Sequence, residues 1–308
     1  MLPPGCGLES GTLLKLPVLW QEFHARGELH GGVVVEPGGA GDGSIMSFGM
    51  AVFVQDAFLT EALDRPRPYL HARVYERISN GVSPLVPPRE IAAVNTAGGL
   101  NLLILHFGLR PGLTEDRLRA VLSAVQAGFR ISHGGYRLRR VLQEAYGASQ
   151  LPFMERGGFL LKSSYEDDEW AAGIAALPAV ERPYLMGLYR DDPESRHPGA
   201  ALADLFRSPR PRLFFSPAEQ RVLLHALLDE SDAAIAEALG VSHDAVKKVW
   251  RRIYSRVVAV DPGLLGPSSE DGMRGREKRR ELMRYVRYHL EELRPFKRRD
   301  RGLDDVAP

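Results

Sequence analysis

The chain has 308 residues, 44% hydrophobic and 26% charged, with 40 Lys and Arg against 39 Asp and Glu. That composition excludes a disordered, fibrous or collagen-like chain, and a net charge of +1 leaves only local clustering to argue for nucleic acid. At roughly 150 residues per domain, the length predicts two domains.

Cys6 is the only cysteine, which excludes an internal disulfide framework and a cysteine-rich zinc site and fits a reducing compartment. The opening MLPPGCGLESGTLLKLPVLW lacks the basic start and unbroken apolar stretch of a signal peptide. No run approaches the roughly 18 apolar residues of a membrane span. The expected setting is the cytoplasm, with no membrane partner.

The first 43 residues are loosely patterned and end in the glycine-rich EPGGAGDGS. A phosphate cradle needs such glycines between a strand and a helix N-terminus. Here a strand-like segment follows, so a flexible turn is expected. Residues 45–54 (IMSFGMAVFV), 69–78 (YLHARVYERI) and 100–107 (LNLLILHF) read as strands, from their β-branched and aromatic content and partial alternation. Two helices are then predicted. One starts at Thr114 with acids in its first turn, and one covers residues 136–146, where Leu138, Val141, Leu142 and Ala145 keep helical spacing. Strands followed by helices predict an α+β domain over residues 1–176.

Nine histidines prompt a search for catalysis or metal, yet HExxH, GxSxG, Walker and calcium-loop patterns are all missing. No catalytic residue, metal ligand or cofactor is assigned. His71, with Arg73, Tyr75 and Arg77 on one strand face, reads either as an anion-pocket lining or as a solvent-facing surface. His106 reads as a hydrogen-bonded core histidine. ISHGGYRLRR, with His133, Gly134, Gly135 and Arg137, reads either as a small anion site or as a helix-entry turn. No receiver-type acidic series is present, so a ligand- or partner-sensing module is expected, in kind like PAS or GAF sensors.

Prolines at 178, 183, 193, 198, 209 and 211 break regular structure over residues 177–212, which predicts a connector, with YLMGLY and ALADLF inside it left open as short packed elements. Beyond it, residues 213–262 divide into three helices. Ser216, Pro217 and Glu219 open the first, which places Val222, Leu223, Ala226 and Leu227 on one face. The second runs from Ser231 to Leu239 and closes at Gly240, and the third starts at Ser242. On the third, Val246, Val249, Trp250, Ile253 and Val257 share a narrow arc. Asp244, Lys248, Arg251 and Ser255 lie opposite, with Lys247 and Arg252 on the flanks. A short helix, a glycine turn and a cationic, half-buried helix predict a helix-turn-helix whose second helix enters the major groove.

This segment resembles the LuxR-type helix-turn-helix over roughly 45 residues. Ser216, Pro217 and Glu219 are similar to the family's Thr/Ser-Pro-x-Glu, and Val222 and Leu223 to its Val-Leu. Ile235, Ala236, Leu239, Gly240 and Val241 are similar to its Ile-Ala-x-x-Leu-Gly-Ile/Val. Ser242, Val246, Lys247, Arg252, Ile253 and Tyr254 match its recognition helix. The chain departs from the family at Arg221, in place of a second glutamate, at Asp229, in place of a glycine, and at Ala233 and Ala234, in place of Lys-Glu. The resemblance implies that Lys247, Lys248 and Arg251 face DNA, with Arg251 or Lys248 suited to guanine and Asp244 to cytosine N4.

Residues 274–301 carry twelve Lys or Arg against five Asp or Glu, and Leu282, Val286, Leu290 and Leu293 form a helical stripe that stops near Pro295. This basic helix, within a tail over 270–308, either docks on the preceding module or supplies extra phosphate contacts or a dimer contact. The expected protein is a transcription regulator that binds double-stranded DNA as a homodimer. Its signal, a small molecule or a protein, acts at the first domain. The competing classes are an enzyme such as a group transferase with an accessory helical domain, a sigma-factor-like protein, and a scaffold that binds no DNA.

Overall fold

A computed structural model describes residues 8, 10–36, 43–166, 169–196, 199–265 and 274–297, and the chain divides into two compact units, Met1–Arg207 and Ser208–Pro308. The glycine-rich stretch over residues 37–42 and Cys6 lie outside the described residues. The first unit mixes helices and strands, and every regular element described in the second is helical, so an α+β class holds for the chain. Among the described residues no helix is long and apolar enough to cross a membrane.

The first unit runs α1 (Ser10–Ala25), β1 (Leu29–Glu36), β2 (Ser44–Val54), α2 (Asp56–Asp64), α3 (Leu70–Ser79), α4 (Pro88–Ala97), β3 (Leu100–Leu109) and α5 (Glu115–His133). It continues through β4 (Leu138–Tyr146), α6 (Leu151–Gly157), β5 (Leu160–Ser163), α7 (Ala171–Ala176) and β6 (Pro183–Tyr189). The six strands form one sheet in the order β1-β2-β3-β4-β6-β5. Only β3 and β4 run parallel, with α5 between them in sequence.

Both faces of the sheet are covered. Val52, Val54, Leu103, Leu105, Leu142 and Leu185 pack with Leu16 and Phe23 of α1, Phe58 and Leu59 of α2, and Val74 and Tyr75 of α3. Their sequence neighbours Ala51, Phe53, Leu102, Val141 and Met186 pack with Ile91 of α4 and Met154 of α6 on the other face. A strand buried on two faces keeps little polar alternation, which explains why MAVFV is apolar throughout and LNLLIL is broken only by Asn101, whose buried amide donates to Asp56 Oδ1 at 2.6 Å.

Two predicted elements are corrected, the first by that same double burial. Residues 136–146, expected as a helix, contain β4. Its buried Leu138, Val141, Leu142 and Ala145 satisfy a helical spacing only because both faces of a central strand are apolar. Residues 69–78, expected as a strand, contain α3. Leu70 and Val74, and His71 and Tyr75, are buried one turn apart, while Arg73 and Arg77 reach Glu61 together. The expected shared face of His71, Arg73, Tyr75 and Arg77 is therefore split between core and surface.

The proline-rich 177–212 is not a free connector, because β6 lies between β4 and β5 in the sheet. Pro183 sits at the first position of that strand, where a missing N–H is tolerated. The ISHGGYRLRR turn is a helix exit into β4 and not a helix entry. Arg137 there donates from its backbone N–H to Asn95 Oδ1 at 2.7 Å and from Nη1 to the Thr96 carbonyl at 2.8 Å, closing the end of α4.

A polar network runs through the core. Tyr69, at φ 66° in the left-handed region, opens α3 and donates its N–H to Glu144 Oε1 at 2.7 Å. Tyr165 donates its O–H to the same oxygen at 2.9 Å, and His71 Nδ1 lies 3.3 Å from Glu144 Oε2. Beside it, Trp20 Nε1 donates to Tyr75 Oη at 2.9 Å, and Tyr75 Oη lies 2.7 Å from His106 Nε2. Burial holds the Tyr75 phenol well above its ordinary range, so its O–H donates and the neutral His106 Nε2 accepts. His106 is thus the hydrogen-bonded core histidine expected. Burial, reinforced by His71, pushes its imidazole from 6.5 down to about 3.

The unfolded chain takes up a proton at His106 near pH 6.5, whereas the folded chain does not until about pH 3. The first unit therefore loses stability as pH falls through that window and gains no further loss from this group below it. His106→Gln, which keeps an acceptor for Tyr75, should flatten the decline, as measured by hydrogen exchange of the β3 amides against pH.

Candidate nucleic-acid interface

The second unit contains α8 (Pro217–Leu227), α9 (Asp232–Ala238), α10 (His243–Val260) and α11 (Arg274–Tyr288), with short 3-10 turns at Pro262–Leu265 and Leu290–Leu293. Local sequence fixes each helix start. Ser216 and Glu219 form a reciprocal capping box, and the Ser231 and Ser242 hydroxyls accept from the N–H groups of Ala234 and Ala245. Gly240, at φ 63°, takes the left-handed residue between α9 and α10. Asp229 holds a second left-handed position, at φ 58°, where the resemblance has glycine, and its carboxylate meets Arg287 at 3.1 Å.

Helix α10 is anchored along one face. Val246, Val249, Trp250, Ile253 and Val257 are all buried against Val222, Leu223, Ala226 and Ile235. Trp250, 5% exposed, donates its indole N–H to Asp232 Oδ1 at 3.2 Å. Arg279 of α11 reaches the same oxygen at 2.7 Å and lies over the indole ring at 4.6 Å. The indole is held at its edge by an acid and on its face by a cation, which fixes the rotation of α10 about its axis.

That rotation places the six predicted residues outward. Asp244, Lys247, Lys248, Arg251, Arg252 and Ser255 are all exposed, along a helical surface about 16 Å long at 1.5 Å per residue. Their electrostatics differ. Lys247 is 3.6 Å from Asp244, so part of its charge is met within the helix. Ser255 donates its hydroxyl to the Arg251 carbonyl at 3.0 Å and is left only as an acceptor. Among the described residues Lys248, Arg251 and Arg252 have no ion pair, and they line one groove of about 540 Å³ together with Arg221 of α8. The sequence pattern of α10 alone gives no sign of Arg221, since only folding brings α8 beside it. Paired with exposed cations on a rigid helix, the surface can bind phosphate and donate to acceptor edges of bases.

The basic tail belongs to the core of this unit. Leu282, Met283, Val286 and Leu293 are buried with Trp250 and Ile253, and the expected stripe faces inward, although α11 ends at Tyr288 and a 3-10 turn completes it. Glu292, with no exposed surface, accepts the N–H of Arg212 at 2.8 Å, the N–H of Leu213 at 2.9 Å and the Tyr285 O–H at 2.9 Å. Gln220 of α8 donates to the carbonyls of Glu292 and Arg294. Exposed Arg280 and Arg284 meet Glu277 and Glu281 on their own helix.

Removing the Glu292 carboxylate strands two backbone N–H groups and a phenol, at about 1–3 kcal/mol for each buried group left unsatisfied. Glu292→Ala should therefore lower the melting temperature of the second unit by more than about 5 °C, whereas a Lys248→Ala/Arg251→Ala double variant should shift it by less than about 2 °C. Circular dichroism of the full chain measures both.

No family model and no curated protein matches this chain.

Proposed function

We propose that the protein is a DNA-binding transcription regulator. Its second unit reads duplex DNA by a helix-turn-helix of LuxR-type layout, in which α10 enters the major groove. One observation carries this reading: α10 buries the Trp250 face and leaves Lys248, Arg251 and Arg252 exposed with no ion pair among the described residues. A structural helix would gain nothing from holding three unmatched cations side by side, since like charges repel when no counter-charge is near. A polyanion supplies that counter-charge and releases its own condensed ions in doing so.

In this reading Lys247, Lys248, Arg251 and Arg252 share the work between phosphates and base edges. Asp244 accepts from cytosine N4, and Ser255 accepts from a base or water. The first unit, a two-faced sheet with a buried polar network, receives the signal in the cytoplasm. A homodimer on DNA places two α10 helices about one helical turn apart. The signal acts by binding one of two states of the chain more tightly than the other.

Selection of bound fragments from random duplex DNA by the full chain tests the reading. The wild type should enrich related sequences at about 50 mM salt or below, and the Lys248→Ala/Arg251→Ala variant should enrich none while keeping its helical signal. Recovery of the same sequences by the variant, or no enrichment by the wild type, would reject the proposal.

A further inference from the structure

We infer that the duplex-binding face extends beyond α10 onto α8, and that Arg221 is a phosphate-binding residue. The inference rests on the reading of the second unit as a DNA-binding module and adds a contact that the α10 pattern does not contain.

A groove of about 540 Å³ is lined by residues of both α8 and α10. Arg221 of α8 and Lys248, Arg251 and Arg252 of α10 line it, together with apolar residues that include Val222 and Val249. No carboxylate lines this groove, and among the described residues none of the four cations has an acidic partner within 4.0 Å. The nearest acid along α8, Glu219, is 2% exposed and already taken by the Ser216 N–H at 2.7 Å and by Arg256 at 3.0 Å, so it neutralises nothing outside. Four positive charges from two helices thus converge on one cleft with an apolar floor. The floor excludes part of the water that would screen them, which raises both their mutual repulsion and their attraction for an anion entering between them. A phosphodiester is the anion that fits. It carries one negative charge per phosphate, and the planar guanidinium of Arg221 matches two oxygens of one phosphate at once. Because phosphate carries no sequence information, Arg221 fixes the angle of α10 in the groove and not the choice of base.

Binding of the full chain to a fragment recovered by selection, measured by fluorescence anisotropy over a salt series, tests this. Arg221→Gln should make the log–log salt slope shallower by about 0.9 and should weaken recovered and unrelated duplexes by the same factor. Arg221→Lys should restore the slope, and Arg221→Glu should weaken binding further than Gln does. An Arg221→Gln slope equal to that of the wild type, with the fold intact by circular dichroism, overturns the role of Arg221 while leaving α10 as the DNA-reading helix. Failure of the wild type to bind any duplex overturns both.

Discussion

The surface of the second unit depends on how Trp250 is held. The indole is the largest side chain on the buried face of α10, and its N–H and its ring face are engaged by different helices, Asp232 from α9 and Arg279 from α11. A purely apolar stripe would bury the same area while tolerating small rotations of the helix, because apolar contact is not directional. A hydrogen bond and a cation over the ring add direction. Since the exposed cations are on the same rigid helix, fixing the indole fixes where Lys248 and Arg251 point, and hydrogen bonds weaken steeply with misplacement of their donors.

Both units solve the same problem of burying a carboxylate. Glu144 in the first and Glu292 in the second have little or no exposed surface, and each gathers donors from segments far apart in the chain. An unpaired buried carboxylate would be strongly destabilising, so each becomes tolerable only when its donors are all in place. That condition ties Tyr69 and Tyr165 to β4 in one unit, and residues 212 and 213 to the end of the chain's last described helix region in the other. Such ties specify which segments meet, a role that Leu and Val contacts fill less selectively.

Two of the residues at which the segment departs from the LuxR-type pattern that it resembles, Asp229 and Arg221, are accommodated by the fold. Asp229 adopts the left-handed backbone that glycine would take, and its carboxylate is met by Arg287. Arg221 reverses a charge without disturbing α8, because the capping box at Ser216 and Glu219 and the buried Val222 and Leu223 set that helix independently of its exposed side. The layout of three helices is therefore compatible with a surface charge pattern of its own.

The helices of the second unit were legible in the sequence because every signal there is local. Caps sit within three residues of the groups they bind, Gly240 marks its own turn, and the spacing of Val246, Val249, Trp250, Ile253 and Val257 needs no knowledge of the partner helices. The outward placement of Lys248 and Arg251 follows from that spacing. The first unit was less legible. In β4 and α3 the apolar residues are compatible with either period, and what decides between them is a neighbouring strand or helix many residues away. The strand hidden among prolines at 183–189 is a strand because β4 and β5 flank it. Likewise, the groove shared by Arg221 and α10, the grip of Arg279 on Trp250 and the donors around Glu292 join residues distant in sequence. Sequence by itself determined the local geometry of the helices and the charge they carry. Only the tertiary structure decided which side chains converge, because convergence depends on the packing of segments whose separation along the chain leaves no periodic trace.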